Sequence, residues 1–282
     1  MKEAIIIGFS YKQSIPGVFF DIFRVYSFCK KRKFDKISVI TDISHDYIDI
    51  SRTVIKEGFN SDIFNFIETI KLNDEYTMCT TSRMFMKIIE RKTRDSKKNI
   101  LVYYSGHCIN SRILLPNDDK VLLVKFKEMF TDCSKILFIL DCCNASIDLP
   151  YKLKGNTFRS NNTCRDETSQ ILCICSSSTD EKSALTSEGS LFTRSCFYFL
   201  DEEANNRKDI NTFLSCTQQD IVDNAAMYST TLNEKLIRPK QTCAIYSSHP
   251  HINTLWGWIV NDLDMEITFH PECMAVLVKI NR

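Results

Sequence analysis

Residues 135–144 read Lys-Ile-Leu-Phe-Ile-Leu-Asp-Cys-Cys-Asn. A continuous apolar run of strand length, closed by an acid and two thiols, is the pattern of a strand buried on both faces. Residues 99–107 repeat the design as Asn-Ile-Leu-Val-Tyr-Tyr-Ser-Gly-His, this time ending on an imidazole. Further out, residues 4–8, 36–41, 170–175 and 242–247 form four more apolar runs of the same length. Between them lie segments with helical spacing. Residues 21–33 carry Ile22, Val25, Tyr26 and Cys29, and the segment opening on Thr80-Thr-Ser82 carries Met84, Phe85, Ile88 and Ile89 ahead of a basic end. Residues 124–130 and 192–200 complete the set. Strands alternating with helices predict an α/β fold with a mostly parallel central sheet and helices on both faces. Residues 45–78 are mixed, with a helix expected at 62–70. Residues 151–169 are rich in Lys, Asn, Arg, Thr and Ser and are expected to be a mobile, exposed loop.

The 282 residues carry 36 Lys+Arg against 35 Asp+Glu. That balance excludes nucleic acid binding through bulk charge. The longest apolar runs fall far short of the roughly 20 residues of a membrane-spanning helix, so no membrane partner is expected. Thirteen cysteines in odd number and irregular spacing, behind an N-terminus that lacks the features of a signal peptide, suit reduced thiols in a cytoplasmic protein. Most sit inside apolar runs, as small buried hydrophobes do. Residues 1–248 are expected to form one domain. Residues 249–282 read as a C-terminal extension packed on it, with a strand pair at an edge.

Open α/β sheets gather ligands beyond the carboxyl ends of their strands. A His and a Cys at two such ends can face each other, as cysteine nucleophile catalysis requires: the imidazole supports the thiolate and later protonates the leaving amine.

Tyr103-Tyr-Ser-Gly-His107 followed by Ile139-Leu-Asp-Cys-Cys143 resembles the metacaspase branch of the caspase-like cysteine peptidases. The resemblance extends to Ile5-Ile-Ile-Gly-Phe-Ser-Tyr11, to Gly17 and Asp21, to Leu115-Pro-Asn-Asp118, to residues 177–184 and 189–193, and to Arg238-Pro-Lys-Gln241. It implies a caspase-like fold and an endopeptidase, with cell-death or protein-processing control as its setting. By that resemblance Cys143 is the nucleophile, His107 its partner, and Cys142 a packing residue. The backbone N–H groups of Cys143 and Cys108 would form the oxyanion hole. Cys108 departs from the family's Gly, and a positive φ there would strain it.

The same resemblance places Asp21, Ser105 and Asp141 in the first specificity pocket, whose acidity selects protein substrates with Arg or Lys before the cleaved bond. Asp21 reads equally as an acid in the first turn of a helix. Asp180, a further candidate for substrate binding, and Glu181 lie on the cleft loop, where a solvated role is the default. No obligatory cofactor or metal is expected. Calcium would need more acids than Asp118, Asp119 and Asp148 offer, and His249, His251, His270 and Cys273 match no zinc spacing. An enzyme of this specificity would meet Lys152, Lys154, Arg159 and Arg165 of its own loop first, which makes them self-cleavage candidates. A catalytically weak homologue acting as a binding module is the second reading; Cys108 favours it and the His–Cys pair opposes it.

Overall fold

The computed structural model describes residues 1–12, 14–15, 17–43, 76–94, 98–154, 157–160, 169–178, 180–186, 189–201, 210–231, 241–250, 266–268 and 277–279. The chain opens with β1 (Lys2–Gly8), α1 (Val18–Lys31), β2 (Lys36–Thr41) and β3 (Tyr76–Met78). Then come α2 (Ser82–Thr93) and β4 (Asn99–Ser105), followed by a ribbon of three short strands, β5 (Cys108–Ile109), β6 (Arg112–Leu114) and β7 (Lys120–Leu122). Helix α3 (Leu123–Glu128) leads into β8 (Lys135–Asp141), and a hairpin of β9 (Tyr151–Lys154) and β10 (Thr157–Ser160) precedes β11 (Gln170–Cys175). The short strands β12 (Leu185–Thr186) and β13 (Gly189–Ser190) introduce α4 (Leu191–Asp201) and α5 (Ile210–Thr231), and β14 (Ala244–Ser247) returns to the sheet.

One nine-stranded sheet, ordered β10-β9-β14-β11-β8-β4-β1-β2-β3, organises these elements. The pairings from β11 through β3 are parallel, whereas β14, β9 and β10 join antiparallel at one edge. This is the α/β architecture expected, a mostly parallel sheet with helices on both faces. Period-two alternation divides the apolar strands between two cores. Ala4, Ile6, Leu137 and Ile139 face α1, α4 and α5. Ile5, Ile7, Ile136, Phe138 and Leu140 face α2 and α3 through Phe85, Ile88, Ile89, Leu123 and Phe126. Because both faces are covered in the middle of the sheet, its central strands lack polar alternation.

One expectation needs correction. Residues 151–160 are not an irregular loop: they pair as a hairpin whose first strand extends the sheet beside β14. Leu153 supplies the inward-facing side chain among outward Lys152, Lys154 and Arg159, so the polar composition reflects an edge, not an absence of structure. The rest of that stretch, Arg165 included, lies outside the described residues, as does the helix expected at 62–70. Helix α5 and the β5–β7 ribbon are elements that the apolar pattern did not reveal. Glu266–Thr268 and Leu277–Lys279 pair antiparallel with each other.

Candidate functional site

Strands β4 and β8 are neighbours, and their register pairs Ser105 with Asp141. His107 and Cys143 each lie two residues beyond that pair. Adjacent parallel strands therefore bring both groups to the same end of the sheet, and the Gly106 N–H, donating to the Asp141 carbonyl at 3.3 Å, carries the contact past the strand ends.

His107 is exposed at its edge and covered on one face by Tyr11, the two rings lying 4.6 Å apart. Loss of hydration on that face lowers its pKa below the ordinary histidine value. The neutral ring, able to take a proton, is thereby favoured.

The two cysteines after Asp141 are chemically distinct. Cys142 is buried; its N–H donates to Ser176 Oγ at 3.1 Å, and its carbonyl accepts from Ser176 Oγ at 3.2 Å and Ser177 Oγ at 2.9 Å. Contact with the Cys108 thiol, and then burial, push the Cys142 pKa well up, so it stays a protonated packing group. Cys143 is half-buried. The N–H of Asn144 donates to the Glu181 carbonyl at 3.0 Å. Of these three consecutive N–H groups, Cys143's alone has no protein acceptor among the described residues.

Cys108 is not strained. It opens β5 with a negative φ, and the positive angles fall on the turn residues Asn110 (50°) and Ser111 (55°). Leu114 N–H donates to the His107 carbonyl at 3.0 Å, and Cys108 pairs with Ile113. In an antiparallel ladder the position next to a hydrogen-bonded pair turns its N–H away from the partner strand. The Cys108 N–H is thus directed off the ribbon.

Asp21, Ser105 and Asp141 come together. Asp21, in the first turn of α1, is fully buried: Ser105 Oγ donates to Oδ2 at 3.1 Å and the Ser190 N–H to Oδ1 at 2.8 Å. Both readings of Asp21 hold, since it is at once a first-turn acid and a neighbour of Asp141. Asp141 accepts from Ser183 Oγ at 2.7 Å and from Thr193 Oγ1 at the start of α4. Burial, and then the neighbouring Asp141, raise the Asp21 pKa well above the carboxylate norm, and burial raises that of Asp141. Gly189 makes the closure over Asp21 feasible. Its φ is +105°, and an added Cβ would stand 2.4 Å from Asp21 Oδ1.

Asp180 is exposed. Glu181 is buried, contrary to a solvated role: its carboxylate accepts the N–H groups of Ser178 at 3.1 Å and Thr242 at 2.8 Å. Gln241 stitches the same loop, accepting from the Ala184 N–H at 2.9 Å and donating to the Ser176 carbonyl at 3.1 Å. Sequence reading grouped these stretches without assigning Glu181, Gln241, Ser183 or Thr193 a task. Pairing partners that are 42 to 65 residues apart leave no local signal.

Asp119 Oδ2 accepts the N–H of Ser82 at 2.9 Å and its hydroxyl at 2.8 Å, which closes the start of α2 and lowers the Asp119 pKa. Asp118 and Asp148 are exposed, and among the described residues no three His, Cys, Asp or Glu groups converge on a metal position. Of the His/Cys set near the C-terminus, only His249 is described, and its Nδ1 lies 2.7 Å from Ser248 Oγ. Among the described residues no helix is long and apolar enough to cross a membrane.

A sheet of this order with His and Cys at adjacent strand ends defines a class of protein. The family model described as Caspase domain matches residues 29–252, and the chain belongs to that caspase-domain family of cysteine peptidases. The crystal structure of caspase-1 from Spodoptera frugiperda is similar, with a TM-score of 0.52 at 15% identity over 86% of this chain and 85% of that one; the likeness is one of fold. No curated protein matches the chain at a significant level.

Proposed function

We propose that the chain is a metacaspase-like cysteine endopeptidase that cleaves protein substrates after Arg or Lys, with Cys143 as nucleophile and His107 as its proton partner. The observation that carries the specificity is the buried pair of carboxyls, Asp21 on α1 and Asp141 two residues before Cys143 on β8. A desolvated carboxyl pair gains most from a cation, and a guanidinium meets carboxylates two bonds at a time. An aspartate side chain in the same place would add a third carboxyl to a site where burial already disfavours ionisation.

In the reaction, His107 takes the Cys143 proton and the thiolate attacks the scissile carbonyl carbon. The N–H groups of Cys143 and Cys108 receive the oxyanion. The imidazolium protonates the leaving amine as the C–N bond breaks, which leaves a thioester on Cys143. His107 then removes a proton from water, which attacks the thioester, and the acid leaves as the thiol is reprotonated. The negative φ of Cys108 and the outward turn of its N–H support this reading over a catalytically weak binding module. The chemistry is that of a cytoplasmic thiol enzyme without a resident metal.

The test is turnover of fluorogenic peptides ending in Arg, Lys or Asp by wild type and Cys143→Ala. Cleavage after Arg and Lys that the variant loses is the expected result. Cleavage after Asp would overturn the pocket, and no turnover of any peptide would leave the binding-module reading.

A further inference from the structure

The sequence joins His107 to Gly106 and to nothing else that would aim it, yet the structure holds its peptide on both sides. The His107 N–H donates to the Tyr11 hydroxyl at 2.7 Å, and the Tyr104 hydroxyl donates to the His107 carbonyl at 2.7 Å. The Tyr11 hydroxyl sends its own proton to the Leu114 carbonyl at 2.8 Å, tying the same peptide to β6. The two phenol oxygens lie 3.2 Å apart, each with its proton committed to a carbonyl. Tyr11 also covers one imidazole face at 4.6 Å. One side chain therefore fixes both the peptide that bears the ring and the plane in which the ring lies.

The arrangement is crowded, and the chain is bent to make it. A Cβ on Gly106 would stand 2.8 Å from the Tyr104 hydroxyl and 2.9 Å from that of Tyr11, at a φ of +156°. Tyr11 itself is at φ 51° and Lys12 at 55°, a left-handed turn that an aromatic residue adopts only when its surroundings enforce it. The enforcing group is Asp42, just past β2. Its carboxylate accepts the N–H of Ser10 at 2.6 Å and of Lys12 at 3.3 Å, one residue on each side of Tyr11.

We infer that Tyr11 is a positioning residue for His107: held in its strained turn by Asp42, it sets the height and plane of the imidazole that serves Cys143. Tyr104 completes the clamp from the carbonyl side. The inference rests on the proposed roles of His107 and Cys143, and it adds a group outside the segments that bear them.

The experiment compares Tyr11→Phe, which keeps the ring and removes the hydroxyl, with Tyr11→Leu, which removes both, and with Asp42→Ala, which releases the turn. Phe130→Leu serves as a stability control, because Phe130 packs on Phe126 and Phe138 away from the strand ends. Two readouts are taken: kcat and KM on Arg-ended peptides, and the rate at which iodoacetamide alkylates Cys143, mapped by mass spectrometry against His107→Ala. Misplacing a catalytic group by a fraction of an ångström to an ångström lowers rate by about 10- to 100-fold. Tyr11→Phe is expected at the low end and Tyr11→Leu at the high end, each with KM within about twofold of wild type. Asp42→Ala should lose kcat with Tyr11 still present. The alkylation rate should fall toward that of His107→Ala in the same order, while Phe130→Leu at a matched loss of Tm keeps both rates. Wild-type kcat and alkylation in the Tyr11 variants overturn the inference, as do equal losses in Phe130→Leu. If the wild type cleaves no peptide, the endopeptidase reading falls and the alkylation series still decides the clamp. Should Tyr11→Leu fail to fold, Tyr11→Phe carries the decision.

Discussion

The cleft has two arms of opposite construction. On one, His107 stands exposed with its peptide gripped by neutral phenols and its edge free. On the other, Asp21 and Asp141 are buried at 0% and 4% exposure among serine and threonine hydroxyls that donate to them. A group that must pass protons needs a fixed base and an open edge. A carboxyl pair proposed to recognise a cation is desolvated, and here hydroxyls, with the Arg24 guanidinium 3.7 Å from Asp21 Oδ1, make that burial tolerable. The two arms meet at the paired Ser105 and Asp141, so one register serves both tasks.

The largest effect comes from removing the first arm's chemistry. Cys143→Ala and His107→Ala should each lower peptidase kcat by about 10⁴-fold or more. Cys142→Ala, at a buried position beside the nucleophile, should retain most of the activity and cost only about 1 kcal/mol of stability. Alkylation and turnover assays on the three proteins check this, and an inactive Cys142→Ala beside an active Cys143→Ala would reverse the assignment of the two thiols.

Breaking the second arm separates recognition from stability. Asp141→Ala should reduce kcat/KM on Arg and Lys peptides by about 10- to 100-fold, the range for hydrogen bonds to a charged group, and abolish basic selectivity. Asp21→Asn keeps an acceptor for the Ser190 N–H while removing the ionisable group. The folded-state pKa of Asp21 is raised, so its stabilisation is fully present below the unfolded value of about 3.9 and is lost as pH rises toward the folded value. Asp21→Asn should therefore flatten the fall in Tm between acid and neutral pH while weakening cleavage after Arg. A steeper fall in the variant would contradict the burial argument.

Self-cleavage is a smaller effect, sharpened by the hairpin at residues 151–160. Lys152 and Lys154 lie on β9, which is flanked by β10 on one side and by β14 over part of its length, and Lys152 reaches over the Tyr246 ring at 5.2 Å. Arg159 lies on β10, which has a single neighbour. Edge strands open at lower cost than strands paired on both sides. On incubation the wild-type chain should split first after Arg159 or Arg165, with Cys143→Ala intact. Terminal sequencing of the fragments is the measurement; equal cutting of Cys143→Ala would assign the nick to another protease.

The sheet was legible because its strands are buried on both faces. Ile136–Leu140 and Ile100–Tyr104 carry no polar alternation to confuse with a helix, and their ends name His107 and Cys143 directly. The edge was misread for the same physical reason in reverse. Half-exposed strands such as Tyr151–Lys154 present polar residues, and composition then resembles a loop. In the site, the pocket acids were legible through the resemblance. Tyr11, Glu181 and Gln241 were not assigned because their work is done on backbone groups, across spans of 57 to 103 residues in the longest cases, and a backbone acceptor leaves no mark in a sequence.

The smallest expected effect is that of calcium. Activity in excess chelator should match activity in millimolar calcium within about twofold, because the acids nearest the cleft offer too few oxygens for a site that takes 6–8 ligands. Asp119, the best placed of them, already has an occupation: its Oδ2 receives the N–H and the hydroxyl of Ser82 at the first residue of α2. A metal at Oδ2 would compete with both donors at the start of the helix. Asp119→Ala should therefore lower Tm without changing the response to chelator, whereas Asp148→Ala, at an exposed position, should change neither. A saturable stimulation by calcium that either substitution removes would show that the carboxylates bind the ion.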